Sequence, residues 1–266
     1  MAENGMPPLR ELGLDLLYLP RWRRAVSLAS PFGWCSAYFI LAAFDWWWGA
    51  VFALVALSFV TYGSISHDLV HRNLRLPRWL NESLLCAIEL ITFRCGHAYR
   101  VVHLHHHAHF PAVDDLEGSA SAMPWWRALV DGLFLQPRLL WFAMRSGRDR
   151  AWIIGEAIAV MLLIALCIAL IPITIVPASY AALMIAGSWV FPFMTAYVPH
   201  VPSGQSELTQ TKRFRGVALA LLALEHLYHL EHHLYPQVPH HNWPELARRL
   251  DPYLDRAGIV PVKLLF

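Results

Sequence analysis

Trp152–Ile171 reads WIIGEAIAVMLLIALCIALI, a run with one acidic residue and no basic one. A helix rises about 1.5 Å per residue, so ~20 apolar residues cross the ~30 Å hydrocarbon core of a bilayer. The run belongs to a longer window, Ala151–Thr211, that holds no Lys or Arg, and Ala25–His71 is a second such window. All 21 basic residues lie outside these windows, in Arg10–Arg24, Arg72–Arg150 and Lys212–Lys263. A soluble protein scatters its cations, whereas a bilayer excludes them and leaves them in cytoplasmic loops. Each window is long enough for two passes. The first holds Val26–Phe44 and Trp46–Ser66, pivoting at the indole-rich Asp45-Trp46-Trp47-Trp48-Gly49. The second holds Trp152–Ile171 and Ser179–Val198, joined by the uncharged Pro172–Pro177. Neither turn carries a cation, so both are expected outside, with the termini and the basic regions 67–150 and 199–266 in the cytoplasm.

The chain therefore reads as a single all-α integral-membrane domain of four transmembrane helices plus interfacial helices. Its 57% hydrophobic and 15% charged residues agree with that class, and a net charge of +2 gives no case for nucleic acid. Met1–Leu19 mixes charge with apolar residues, so no cleaved signal peptide is expected. Arg10–Arg24 reads as an amphipathic lead-in, and Pro124–Arg145 as a helix lying in the interface. Leu80–Phe93, short and carrying Glu82 and Glu89, reads as an interfacial or re-entrant segment, and Trp243–Phe266 as a soluble tail. Cys35, Cys86, Cys95 and Cys167 show no C-x-x-C spacing and read as small buried apolar residues.

Fifteen histidines are a heavy load, and they gather at the cytoplasmic ends of the crossings. His67-Asp68-Leu69-Val70-His71 closes the second crossing, and His103-Leu104-His105-His106-His107 lies in the central region. His200 follows the fourth crossing, and His229-Leu230-Glu231-His232-His233 stands near the C-terminus. Residues three and four apart share one helix face, so His67 with His71, His103 with His106 and His107, and His229 with His232 and His233 form three imidazole stripes. One helix cannot surround an ion, but three stripes meeting at one end of a bundle can. Imidazole suits Zn, Cu, Fe or Ni. A structural zinc takes four ligands and a catalytic zinc three, so eight histidines plus His200 overshoot both and fit a pair of redox-active ions, best iron.

At these residues the sequence resembles the membrane fatty acid desaturase and hydroxylase superfamily, whose signature is three boxes, H-x(3,4)-H, H-x(2,3)-H-H and H-x(2,3)-H-H. The resemblance runs from about His67 to Pro239. It implies that His67, His71, His103, His106, His107, His229, His232 and His233 hold two iron ions, with His200 as the additional ligand after the last crossing. Within the superfamily it runs toward carotenoid ring hydroxylases and ketolases, through Val102-His103-Leu104, His106-His107-Ala108-His109, Asp114-Asp115, Tyr197-Val198-Pro199-His200 and Tyr228-His229-Leu230 with His232-His233-Leu234-Tyr235-Pro236. Acyl-lipid desaturases share Glu231-His232-His233-Leu234 and Pro236. Box one continues as Arg72-Asn73-Leu74-Arg75, where ketolases carry small residues, and this weighs against ketonation.

The implied chemistry is O2-dependent oxidation of a lipid C–H bond: hydroxylation or ketonation of a carotenoid ring, with acyl desaturation as the alternative. A histidine-rich transporter would place its ligands at mid-membrane, and a membrane zinc hydrolase would need fewer. No G-x-G-x-x-G, Cys cluster or haem motif is present, so electrons are expected from a separate ferredoxin-type or small cytochrome donor. The basic residues Arg72, Arg75, Arg78, Arg145, Arg148 and Arg150 offer it a docking face. Asp68, Asp114, Asp115 and Glu231 are candidates to orient ligand imidazoles through the second ring nitrogen. His105, His109 and His226 adjoin boxes but fall off the stripes, and His97, His240 and His241 read as surface residues. Glu156 reads as a helix-end group beside Arg150.

Overall fold

The computed structural model describes residues 5–216 and 227–264. Among these the chain is mostly helical, and the one sheet is a two-residue parallel pairing of Phe214 with Val262 and Arg215 with Lys263. The helices are α1 (Leu9–Leu12), α2 (Arg21–Ala43), α3 (Trp47–Val60), α4 (Ser66–His71), α5 (Arg78–Leu90), α6 (Gly96–His109) and α7 (Trp125–Ser146). They continue with α8 (Arg150–Ala169), α9 (Val176–Gly187), α10 (His229–Leu234) and α11 (Trp243–Arg256).

Four helical runs are long and apolar enough to cross a membrane: Leu14–Ala43, Trp47–His71, Arg150–Ala169 and Val176–Tyr197. Helix α8 makes the physical case for lipid. Only 11% of its apolar window is buried within the chain, and Ile154, Ile158, Met161, Leu162, Leu166 and Ile168 all face outward. Such a surface would aggregate in water, whereas acyl chains solvate it. The first run starts before the expected Val26: it takes in the short turn Leu14–Leu17 and then α2, whose first turns carry Arg21, Arg23 and Arg24. The second extends beyond Ser66, so His67 and His71 ride on the last turns of a crossing helix.

Two crossings are interrupted by a single π-helical turn, Thr61–Ile65 in the second and Phe193–Tyr197 in the fourth. Such turns widen a helix locally and recur at functional sites. Tyr38, Leu54, Leu57, Tyr180 and Met184 pack α2, α3 and α9 together. Helix α7 crosses the fourth run so closely that a Cβ on Gly132 would collide with the Trp189 carbonyl oxygen.

Beneath the crossings lies a second layer. Met6, Leu12 and Leu16 from the N-terminal segment pack with Leu230, Trp243, Leu246, Leu250 and Leu254. Arg249 clamps the two ends through Asp15, 2.7 Å away. The expected soluble tail is therefore a packed floor. Leu80–Phe93 forms most of a regular helix, α5, which turns Glu82 and Glu89 inward.

Candidate metal centre

Four elements meet at one end of the bundle: α4, α6, α10 and the segment just after the Phe193–Tyr197 turn. All nine histidines of the three stripes and His200 converge there, in two groups. His67, His71, His103, His107 and His232 bring five ligand nitrogens within 4.8 Å of one another, and His106, His200, His229 and His233 bring four. The partition cuts across the boxes, because neighbours on a stripe point to different sides of the helix ends. The second stripe contributes His103 and His107 to one group and His106 to the other, while the third sends only His232 to the first.

Contacts within each group run through Nε2. In the first, His67 meets His232 at 2.9 Å, His71 meets His103 at 3.1 Å, His103 meets His107 at 3.1 Å and His107 meets His232 at 2.7 Å. In the second, His106 meets His200, His200 meets His229 and His229 meets His233, each at 3.0 Å. The opposite ring nitrogens fix the tautomers. His106 Nδ1 donates to Asp115 at 2.7 Å, His103 Nδ1 to Glu117 at 3.0 Å, and His200 Nδ1 to the Ala196 carbonyl at 3.0 Å. A carbonyl or carboxylate only accepts, so the proton sits on Nδ1 and the Nε2 lone pair faces inward. When both rings are neutral, His106 and His200 thus point two lone pairs at each other, an arrangement that a cation relieves.

Burial, followed by repulsion from neighbouring rings, holds His107, His232 and His233 well below the ordinary imidazole pKa. Burial and the nearby His106 do the same to His200. Neutral imidazoles are the form that binds metal. For His106, burial pushes the pKa down, and the Asp115 hydrogen bond together with the Glu117 and Asp115 charges outweighs it, leaving a net rise.

The family model for fatty acid desaturases matches residues 45–263. The chain belongs to the fatty acid desaturase family. Its membership makes it an oxidoreductase of the membrane, and together with the two histidine groups it points to iron. No curated protein matches the chain.

Asp115 accepts from the His106 ring, whereas the other three carboxylates named from the sequence of this desaturase-family chain meet none of the nine histidines. Asp68 accepts from the His240 ring at 2.7 Å and its backbone N–H at 3.0 Å, Asp114 lies beside His105, and Glu231 pairs with Arg215 at 2.6 Å. Glu231 sits on the side of α10 away from the stripe and anchors that helix to Arg215 and the short sheet. Glu117 was missed. The available signal was a carboxylate two residues beyond Asp115 in the same loop. Gly118 donates its backbone N–H to Asp115 at 3.0 Å, and a Cβ there would strike that carboxylate, so this glycine sets the Asp115 position.

Two histidines expected at the surface are buried. His97 is wedged between Glu156 at 2.7 Å and Glu82 at 2.9 Å, with Trp152 stacked on its ring. Glu156 is accordingly a bundle-facing partner of His97 and not a helix-end group beside Arg150. His240 is 3% exposed against Asp68, and His241 is half-buried and hydrogen-bonded to Ser27. His105 and His109 stay outside the nine-histidine centre, and His226 lies outside the described residues.

Two expected results follow. Asp115→Asn and Glu117→Gln should each weaken metal retention about 10–100-fold, because the imidazole loses the charge of its orienting acceptor and an amide NH2 competes for the position. Chelator challenge of the purified protein, with bound metal counted over time, reads this directly. His240→Ala should not be neutral. It leaves the buried Asp68 carboxylate with the backbone N–H of residue 240 but without the ring partner of its second oxygen, at a cost of about 1–3 kcal/mol, and a fall in thermal midpoint in detergent measures it. An unchanged midpoint would mean that Asp68 has another partner.

Proposed function

We propose that this protein uses O2 to oxidise a C–H bond of a bilayer lipid at a pair of iron ions, and that its substrate is a carotenoid end ring, which it hydroxylates. What supports a lipid substrate is a pair of neighbouring cavities, one at the apolar surface and one against the histidines. A cavity of about 230 Å3 lies between the second and fourth crossings, lined by Val55, Phe59, Phe191 and Met194, with Val55, Phe59 and Val190 exposed on its outer side. A small chamber of about 20 Å3 against His67, His103, His229 and His232 shares three of its walls with that cavity: Tyr62, Gly63 and Thr195. Tyr62 and Thr195 come from the two π turns, which face each other at this depth.

The outer cavity falls below the ~300–1,000 Å3 of sites that engulf a drug-sized ligand. It therefore receives one end of a lipid while the remainder stays in the bilayer. Its wall is aromatic and stiff: Tyr62 stacks on Phe191 at 4.2 Å and on Tyr99 at 5.2 Å, with the Arg94 guanidinium 5.1 Å from the Tyr62 ring. A cavity walled by stacked aromatic rings can receive a ring, and the sequence around His103–His109 and Tyr228–Pro236 agrees. An acyl chain remains the competing substrate, since the family name and the histidine groups fit desaturation equally.

In this reading His67, His71, His103, His107 and His232 hold one iron, and His106, His200, His229 and His233 hold the other. The bound pair supplies O2 activation and removal of hydrogen from an unactivated carbon. The chain supplies the rest. Tyr62, Gly63 and Thr195 guide the carbon toward the chamber, Asp115 and Glu117 lock the imidazoles, and the crossings exclude water. Electrons come from a ferredoxin-type or small cytochrome donor. Arg72, directly after His71 and 48% exposed, with Arg75 and Arg78, provides its docking face nearest the ligands. The site and both termini lie on the cytoplasmic side, where the basic regions belong.

Expression in a carotenoid-producing host and a plain one, with pigments and fatty acids profiled by mass, tests the substrate. Hydroxylation under 18O2 puts label in the pigment, adding one oxygen per ring. Desaturation removes two hydrogens from an acyl chain and sends the label to water. Unlabelled, dehydrogenated fatty acids beside untouched carotenoids would reject the ring-hydroxylase reading.

A further inference from the structure

We propose that His105, His109 and Asp114 form a second metal site, for one exchangeable divalent transition ion such as Zn2+, separate from the nine-histidine centre. Their three ligand atoms lie within 4.8 Å of one another. His105 and His109 are one helical turn apart on the face of α6 opposite the stripe, and their rings stack at 3.8 Å. Asp114 arrives from the loop after α6 and brings a carboxylate oxygen to 3.2 Å from His105 Nε2.

The nitrogens are prepared as ligands. His109 Nδ1 donates to the His105 carbonyl at 3.0 Å, so its proton is on Nδ1 and the Nε2 lone pair is bare. His105 Nε2 is buried and makes no hydrogen bond, although Asp114 is near, because the contact lacks the right direction. An ion between these groups satisfies both. Two imidazoles and one carboxylate select zinc, cobalt, nickel or copper over calcium or magnesium, and solvent completes the shell at this half-open position.

Its place in the fold gives the site a consequence. Asp114 directly precedes Asp115, which holds His106, and the same loop carries Glu117, which holds His103. An ion bridging α6 to Asp114 staples this loop to the helix whose ligands it orients. Occupancy therefore tightens the support of the main centre without touching it, whichever ions that centre holds.

The test titrates Zn2+ into the full, iron-loaded chain in detergent by calorimetry, with iron and zinc counted by mass spectrometry. The expected result is one zinc per chain beyond the iron, no iron lost, and at least tenfold weaker zinc binding in His109→Ala and in Asp114→Asn. Amide exchange across residues 110–117 should slow with zinc in the wild type and not in His109→Ala. Co2+ should give a visible absorption band that the same variant removes. Zinc bound equally by wild type and both variants is an adventitious ion only and overturns the proposal. Zinc uptake matched by iron release overturns it too, because the ion then sits in the main centre.

Discussion

Replacing His232 or His200 with Ala is expected to lower turnover ~10^3-fold or more, because ligands of one centre fail as a unit. The two variants probe different groups: His232 belongs with His67, His71, His103 and His107, and His200 with His106, His229 and His233. Each should therefore lose about one metal ion per chain, and the double variant about two. His71→Ala and His107→Ala should match His232→Ala. All of them should still insert, since the ligands sit at the ends of the crossings and their removal leaves the apolar surface of α8 and α9 intact. Iron per chain and turnover of the purified variants check this. Wild-type activity in two of the single variants would dissolve the centre as drawn. Equal metal loss from His232→Ala and the double variant would mean that the two groups form one site.

The outline of this site was legible because its spacing is helical. The i, i+3, i+4 pattern in His103–His107 and His229–His233 fixes which rings share a face whatever the surroundings. The cation-free windows were legible for a similar reason, since a bilayer excludes Lys and Arg independently of packing. The division into a five- and a four-histidine group was not legible. It depends on how α4, α6 and α10 are rotated about their axes, and side-chain packing sets those angles.

Burial of polar residues was the systematic miss. His97, Glu82 and Glu156 lie far apart in sequence on α6, α5 and α8, and their meeting, with Arg100 also paired to Glu82, offsets the penalty of burying them. Read singly, each belongs at a surface or helix end. Asp68 shows the same limit: its position beside His67 suggested a ligand partner, yet at 0% exposure it turns instead to His240 on the floor layer, 172 residues away. Local spacing carries no record of such pairings, whereas Asp115 and His106, nine residues apart, were within its reach.

Thr195→Phe is expected to abolish lipid oxidation with the metal centre left whole. Thr195 lines both the outer cavity and the inner chamber, and its hydroxyl donates to the Phe191 carbonyl at 2.9 Å, so the side chain stands at the neck between them. Thr195 also bounds the inner chamber beside His67 and His103, so added bulk here narrows the approach to the ligands. A ring placed at the neck keeps the substrate carbon from the ligands, and displacement of ~1 Å already costs ~10^2-fold. The expected loss in kcat/KM is thus ~10^2-fold or more, with iron per chain unchanged because Thr195 contacts no histidine in its hydrogen bonding. Thr195→Ser keeps the hydroxyl and opens the neck, and should turn over at close to the wild-type rate. Product yield from reconstituted vesicles, measured beside bound iron, separates a closed route from a broken centre. A Thr195→Phe variant that oxidises lipid normally would place the route elsewhere, and the second cavity, between Arg94, Gln136 and Ser188, would then be the next to block.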